Sequence, residues 1–349
     1  MKFRTIAVIF ALIFEVTASP IKLPWRPKAY TLTSAPLFDE LSLLASYQTV
    51  ATCLSGDGTI EEGPLNTSEY CTLDDCKSST AQIYASFKSL ISGYILLDEQ
   101  SKKIIVIFKA TTEDYEWLID LTFLLVDYKP YAQKKLGESF SCDGCLAHLG
   151  FYKSVYDYME KFYYQVEEVH QKYPDFQIYV TGHSLGGAIA ALVGIEFKLL
   201  GLDPIVVTFG QPKFGNVLLS RWVDSKFNTD TTVSNYRSSS AVLTKNTFTR
   251  VTHLGDNVPH LPPTLLSYTG AGCEIQFQSP GINNTISDLK ILGKFDYAQE
   301  VEEEVEIYGP DTDIDLRDWS DILIADDHNN YFLRLGYCYT PSLDLSTTS

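Results

Sequence analysis

The chain has 349 residues, 45% of them hydrophobic, which is enough for one or two domains with a substantial core. Its formal net charge of −17 argues against nucleic acid or an anionic membrane surface as a partner. No linker, repeat or low-complexity spacer divides the sequence, so we expect a single domain over residues 36–349.

The N-terminal residues have the pattern of an export signal. Met1–Ala18 combines Lys2 and Arg4 with an apolar run, Ile6–Phe14, that is too short to span a bilayer. This pattern predicts a secretory signal peptide and therefore a secreted, extracellular protein without a transmembrane segment. Residues 19–35 are rich in proline, and we expect them to form an extended arm or a short pro-segment.

Several stretches have the periodicity of regular structure. Apolar spacing predicts helices over Leu37–Cys53 and Gly150–Tyr173, and strands over Gly93–Leu97, Lys103–Phe108, Ile178–Val180, Pro204–Phe209 and Phe248–His253. A charged turn between the first two strands indicates a hairpin. A long helix between buried strands is the order found in a parallel sheet. The prediction is an α/β fold with a central, mostly parallel sheet flanked by helices.

The segment after Phe108 is a candidate cover for a groove. Thr111 stands at the end of a predicted strand, where its backbone N–H and hydroxyl can point into a site above the sheet. Acidic residues then alternate with Trp117, Leu118 and other apolar residues, as in a short amphipathic helix. The alternative is a surface helix packed permanently on the core.

A strand, a tight turn and a helix follow one another between Phe176 and Gly201. The turn is Gly182-His183-Ser184-Leu185-Gly186, which has the spacing G-x-S-x-G. The glycines allow the sharp turn, and the helix that follows directs its N-terminal N–H groups toward a developing oxyanion. Ser184 is therefore a candidate nucleophile, although a glycine-rich turn with a capping serine has the same letters.

A serine nucleophile needs an imidazole base, and the imidazole needs a carboxylate that orients it. The chain order of such groups in an α/β-hydrolase is Ser, Asp, His. Asp256 lies just past a predicted strand, and His328 follows it by 72 residues. The remaining histidines precede the serine, lie within its turn or stand too near Asp256; they are His148, His170, His183, His253 and His260. His328 is therefore the candidate base, the alternative being a bystander in a polar loop.

Two other features concern the surface. Asn66 and Asn283 begin the sequons Asn-Thr-Ser and Asn-Asn-Thr, where export permits N-glycosylation. The run from Asp296 to Asp327 contains thirteen acidic residues and one basic residue. We interpret this run as a solvated acidic loop, with calcium binding as the alternative.

Six motifs of this chain together resemble one family. They are Phe108-Lys109-Ala110-Thr111 with Trp117 and Asp120-Leu121, Ala147-His148-Leu149-Gly150-Phe151, Gly182 to Ala188, Thr208 to Asn216, Gly255 to Pro263, and His328-Asn329-Asn330-Tyr331-Phe332. With these motifs the chain resembles the secreted fungal and yeast triacylglycerol lipases of the class 3 lipase family, from about Phe38 to Cys338.

The resemblance implies an α/β-hydrolase fold with a short lid helix. It also implies catalytic roles: Ser184 as nucleophile, His328 as base and Asp256 as orienting acid. The oxyanion hole would consist of the backbone N–H groups of Leu185 and Thr111, and the mobile lid would lie around Thr112 to Leu121, with Trp117 and Leu118. The chain departs from the family at Lys109-Ala110, where Arg-Gly is usual, and a positive φ at Ala110 would be strained.

Seven cysteines leave one without a partner inside the chain. The resemblance implies three disulfides, Cys53 with Cys338, Cys71 with Cys76, and Cys142 with Cys145. Cys273 is then a buried thiol or part of an intermolecular pair. The spacing Cys142-x-x-Cys145 also occurs in redox and zinc sites, but no further ligands accompany it here.

These features predict a secreted serine esterase that hydrolyses acylglycerols at a lipid–water interface through an acyl-enzyme. We expect a monomer without a cofactor or a metal. One alternative is a feruloyl or other soluble-ester esterase on the same fold, which would lack an apolar lid. The other is a catalytically inactive hydrolase fold that binds a partner, which a fluorophosphonate would not label.

Overall fold

The computed structural model describes residues 29–53, 60–71, 73–88, 91–109, 123–282, 284–295 and 326–335. The helices in these residues are α1 (Ala35–Thr52), α2 (Asp74–Lys77), α3 (Tyr131–Leu136), α4 (Leu149–Lys172), α5 (Leu185–Leu199), α6 (Val217–Lys226) and α7 (Thr229–Tyr236). The strands are β1 (Tyr30–Thr31), β2 (Gly63–Pro64), β3 (Gln82–Phe87), β4 (Gly93–Asp98), β5 (Lys103–Phe108), β6 (Leu125–Asp127), β7 (Leu146–His148), β8 (Gln177–His183), β9 (Ile205–Phe209), β10 (Gly215–Asn216), β11 (Thr247–His253), β12 (Tyr268–Thr269), β13 (Cys273–Phe277), β14 (Leu289–Gly293), β15 (Asn330–Tyr331) and β16 (Leu333–Arg334).

The central sheet has ten strands in the order β1-β14-β13-β11-β9-β8-β5-β4-β3-β2. Its five inner strands, β5, β8, β9, β11 and β13, pair in parallel, and the strands outside them pair antiparallel. The predicted α/β-hydrolase fold with a largely parallel central sheet is thus confirmed. The predicted hairpin is β4 and β5, whose turn is held by Asp98 Oδ1 accepting from the N–H groups of Gln100 and Ser101 at 3.1 Å.

Helix α4 crosses one face of this sheet because its apolar residues recur every three or four positions. The side chains on this face are buried, and they are Phe151, Val155, Met159, Phe162, Val166 and Val169. Burying each of them stabilises the fold by about 1.5–3 kcal/mol. A second apolar cluster, which includes much of α1, covers the opposite face of the sheet. Helix α1 begins two residues earlier than predicted because Ser34 caps it, its Oγ accepting from Leu37 N–H at 3.3 Å.

Helix α5 is buried on nearly every side, so its small residues let it approach the sheet closely. At Gly194 an added Cβ would lie 2.4 Å from Val206 Cγ2 of β9. This close contact sets the position of α5 above the centre of the sheet. The N-terminus of the helix, which begins at Leu185, therefore stays at the end of β8.

A smaller sheet of four strands, in the order β12-β10-β7-β6, was not predicted. Two of its strands have only two residues, too few for an alternating pattern to be recognised in the sequence. Its register places Gly215 opposite Ala147 and Thr269, and Gly215 and Ala147 belong to separate motifs of the sequence.

The cysteines follow the predicted pairing wherever both partners are described. Disulfides join Cys71 to Cys76 and Cys142 to Cys145, and Cys273 is a free, buried thiol. Cys53 is also disulfide-bonded. Cys338 lies outside the described residues, so its pairing with Cys53 stays a prediction.

Other predictions fall wholly or partly outside the described residues. These concern the signal peptide (1–18), the arm before residue 29, the sequon at Asn283 and residues 296–325 of the acidic run. The end of the arm is described and forms β1, which adds an edge strand to the central sheet beside β14. Asn66 is exposed, as a glycosylated residue has to be. Within the described ranges no helix is long and apolar enough to cross a membrane.

Candidate active site

Ser184 stands at the turn between β8 and α5. Its backbone has φ 55° and ψ −128°. This conformation is unfavourable in free energy for any residue that has a side chain, and it is typical of functional turns. An added Cβ at Gly182 would lie 2.1 Å from Gly186 O, and one at Gly186 would lie 2.6 Å from Phe108 O. Both glycines of the G-x-S-x-G spacing are therefore required for the turn to pass between the neighbouring backbones.

The structure brings together the three residues that the sequence analysis singled out. His328 Nε2 lies 2.9 Å from Ser184 Oγ. On the other side of the ring, His328 Nδ1 lies 3.0 and 2.9 Å from the two carboxylate oxygens of Asp256. A carboxylate only accepts hydrogen bonds, so we assign the imidazole proton to Nδ1, which leaves Nε2 to accept from the serine hydroxyl.

Asp256 is fully buried at the end of β11, yet it is ionised. Burial alone would raise its pKa. The charge of His328 and hydrogen bonds from His328, Tyr331 and Val258 outweigh the burial, and the net pKa of Asp256 lies below its ordinary value. The Val258 N–H donates to Oδ1 at 2.9 Å, and the Tyr331 hydroxyl donates to Oδ2. Asp256 therefore presents a fixed negative charge to the imidazole.

Tyr331 is a member of the site that the sequence analysis did not assign. Its ring is buried among His183, Phe209, His253 and Phe277. Burial, and then the charge of Asp256, raise the pKa of Tyr331 well above its ordinary value, so the hydroxyl remains a donor. The only signal in the sequence was its place three residues after His328 in one of the shared motifs.

His328 lies on a single turn of 3-10 helix, Asp326–Asn329. The neighbouring Asp327 accepts from Gly281 N–H at 3.0 Å through Oδ1. Downstream, the Leu335 N–H donates to Asn329 O at 2.8 Å, and Thr52 Oγ1 of α1 donates to Leu335 O at 2.6 Å. These contacts tie the segment that carries the imidazole to the loop between β13 and β14 and to α1.

One side of the expected oxyanion hole is described. Leu185 is the first residue of α5, and N–H groups in a first helical turn have no partner within the helix. Thr111 lies outside the described residues, as do Ala110, Trp117 and Leu118 of the expected lid. Buried Gln48 lies beside the ends of β5 and β8. We assign the orientation of its amide from these neighbours, so that it donates to Phe108 O at 3.1 Å and accepts from Gly182 N–H at 3.2 Å.

His148, which belongs to one of the shared motifs, has a structural role. It caps α4, its Nδ1 accepting from Phe151 N–H at 3.4 Å, and its ring stacks on that of Phe151. Burial lowers the pKa of His148 to about 4, so the ring is neutral. Among the described residues there is no group of three or more His, Cys, Asp or Glu side chains placed to hold a metal ion.

An elbow serine on an α/β sheet, hydrogen-bonded to an imidazole that a buried carboxylate orients, defines the class of serine ester hydrolases with the α/β-hydrolase fold. The family model described as lipase (class 3) matches residues 105–266. Over these residues the chain is similar to the class 3 lipases.

Similar proteins agree with this assignment. A putative lipase of Saccharomyces cerevisiae, LIH1, is 33% identical over 209 residues, which are 58% of this chain and 63% of the yeast protein. The secreted mono- and diacylglycerol lipase 2 of Gibberella zeae is 28% identical over 281 residues, 73% of this chain and 66% of that protein. The chain thus spans just under two thirds of the length of these curated relatives.

Solved structures are similar to this chain over a larger fraction of its length. The crystal structure of the Lip2 lipase from Yarrowia lipolytica has a TM-score of 0.68 and 26% identity, and the match covers 89% of this chain and 98% of that one.

Proposed function

We propose that this protein is an acylglycerol lipase that cleaves carboxylic ester bonds through an acyl-enzyme. The observation that carries the proposal is the hydrogen-bonded chain from Asp256 through His328 to Ser184. The lipase names of the relatives support acylglycerols as the substrate class.

In this mechanism Ser184 Oγ attacks the ester carbonyl and its proton moves to His328 Nε2. The imidazolium that forms is stabilised by ionised Asp256, which lies 2.9 Å from Nδ1. The negative charge on the former carbonyl oxygen is stabilised by the Leu185 N–H and, as the family resemblance implies, by Thr111. His328 then returns the proton to the departing alcohol, a glycerol or partial glyceride. A water molecule activated by the same imidazole hydrolyses the acyl-enzyme.

The setting of the reaction belongs to the same proposal. The N-terminal pattern and the name of the Gibberella relative support secretion. We propose a monomer that acts at a lipid–water interface, without a cofactor, metal or nucleic acid. The apolar residues of the expected lid support this, because at such an interface they would exchange contact with the protein for contact with lipid.

The test of the mechanism is the loss of activity in Ser184→Ala and His328→Ala. Each variant should lose several orders of magnitude in ester hydrolysis and keep its unfolding midpoint, because the residues of a triad act as a unit. His260→Ala is the matched control, since His260 is also a buried histidine near the acid. A serine-directed fluorophosphonate should label the wild type and not Ser184→Ala. Loss of activity in His260→Ala with retention in His328→Ala would contradict the assignment.

A substrate panel tests the class of ester. We expect higher turnover on emulsified long-chain triglyceride than on the same esters below their solubility limit, and Trp117→Ala should impair the emulsion reaction more than hydrolysis of a small soluble ester. Equal losses would mean that Trp117 only packs the fold. Preference for methyl ferulate would make the protein a soluble-ester esterase.

A further inference from the structure

The second residue of the elbow, His183, contacts the catalytic base from beneath. Its Nε2 lies 2.8 Å from the backbone carbonyl oxygen of His328, and the two rings lie 4.8 Å apart between centroids at an angle of 32°. His183 is 2% exposed. The contact therefore joins two residues that are 145 positions apart in the sequence, inside the core and away from water.

The protonation state of His183 follows from its surroundings. Burial, and then the neighbouring charge of His328, lower the pKa of His183 to about 3, so the ring is neutral at neutral pH. A carbonyl oxygen only accepts hydrogen bonds, so the single proton of the ring is on Nε2 and is donated to His328 O. Nδ1 is buried and has no hydrogen-bond partner within the described part of the chain.

We propose that His183 is a positioning residue, which fixes the backbone of the base to the strand that carries the nucleophile. The backbone of His183 is itself held within the sheet, where it is paired with Phe209 of β9. The next residue is Ser184, whose N–H donates to Phe209 O at 2.9 Å. The dipeptide His183-Ser184 thus positions both partners of the proton transfer. The serine is held by its own backbone, and the imidazole of His328 is held by the side chain of His183.

The position of His328 needs such a restraint because it lies on one turn of 3-10 helix. Asp327 and Asn329 are anchored by Gly281 and Leu335, which hold the residues on either side of the base. His183 holds the peptide of the base itself. A tilt of that peptide would change the 2.9 Å separation of His328 Nε2 from Ser184 Oγ, and a misplacement of about 1 Å can cost about 100-fold in rate.

The neutrality of His183 also matters for the chemistry. His328 becomes positive during each half-reaction, and a second positive ring at 4.8 Å would oppose that step. A neutral donor can restrain the base without this repulsion. Lysine or arginine at position 183 would supply a donor as well, but would put a charge beside the imidazolium.

Three substitutions separate positioning from packing. In His183→Gln the amide nitrogen reaches about as far from the backbone as Nε2 of histidine and can still donate to His328 O. In His183→Asn the amide nitrogen takes the place of Nδ1 and is too far from His328 O to donate to it. His183→Phe keeps a ring and has no donor. Each variant is compared with wild type for kcat and KM on a short soluble ester, for the rate of fluorophosphonate labelling and for its unfolding midpoint.

We expect His183→Phe and His183→Asn to lower kcat by about 10- to 100-fold, with KM changed by less than about threefold, because the loss lies in transition-state geometry. Labelling of Ser184 should slow in parallel, and His183→Gln should recover most of both rates. If His183→Phe does not fold, the Gln and Asn variants, which are both polar and differ in reach, decide the question at a temperature where both are folded. Equal kcat in these two variants, or a kcat loss without slower labelling, would overturn the proposal.

Discussion

The hydrogen bond from Tyr331 to Asp256 can be removed without disturbing the packing around it. Tyr331→Phe deletes only the hydroxyl, and the ring keeps its contacts with Phe209, His253 and Phe277. Asp256 retains two donors, His328 Nδ1 and the N–H of Val258. The substitution therefore removes one donor to a buried carboxylate, together with the contact of the hydroxyl with the His253 backbone.

The expected cost is about 1.5–3 kcal/mol in the free energy of unfolding at neutral pH, the usual value of a hydrogen bond to a charged group. We expect the lower half of this range because two donors remain. The pKa of Asp256 in the folded protein is below its ordinary value, so its stabilising contribution is present above the unfolded pKa and is lost as the pH falls through the folded one. The difference between Tyr331→Phe and wild type should therefore shrink below about pH 4.

The assay is urea unfolding of both proteins at pH 7 and pH 3, with Tyr268→Phe as the matched control. Tyr268 is also fully buried, but its hydroxyl has no hydrogen-bond partner among the described residues. Removing that hydroxyl should change stability by less than about 0.5 kcal/mol or increase it, because no hydrogen bond is lost. A cost for Tyr331→Phe that equals that of the control, or that does not depend on pH, would refute this reasoning.

Two other predictions concern residues away from the triad. Glu196 of α5 is buried, and burial raises its pKa to about 7 in spite of hydrogen bonds from the N–H groups of Ala132 and Tyr131 and the hydroxyl of Tyr128. The folded protein thus binds the Glu196 proton more tightly than the unfolded chain does, so the free energy of unfolding should fall by about 3 kcal/mol between pH 4.5 and 7 and then level off. Urea midpoints across this range should vary less in Glu196→Gln than in wild type. An unchanged pH dependence in this variant would contradict the raised pKa of Glu196. Gly194→Ala should cost about 1–3 kcal/mol, because its Cβ would lie 2.4 Å from Val206 Cγ2. Adding Val206→Ala should relieve that strain in thermal unfolding, and an additive double variant would show that the contact is not the cause.

Much of the fold could be predicted because it depends on local patterns. The spacing of glycines around Ser184 and the periodicity of α4 are properties of short stretches, which sterics and burial determine directly. The chain order of serine, acid and base leaves His328 as the candidate base among the six histidines. The small second sheet was missed because β10 and β12 are too short to show a period.

The contacts that hold the triad in place were decided by tertiary structure alone. Tyr331 lies 75 positions from Asp256, and His183 lies 145 positions from His328. Nothing in a linear pattern distinguishes a buried tyrosine that donates to a carboxylate from one, such as Tyr268, whose hydroxyl has no partner in the described chain. Which donor faces which acceptor depends on how β8, β11 and the turn at Asp326–Asn329 pack together. The residues themselves determined the chemistry that is possible, and the packing of distant segments determined which of them meet, because hydrogen bonds form only over distances of about 3 Å.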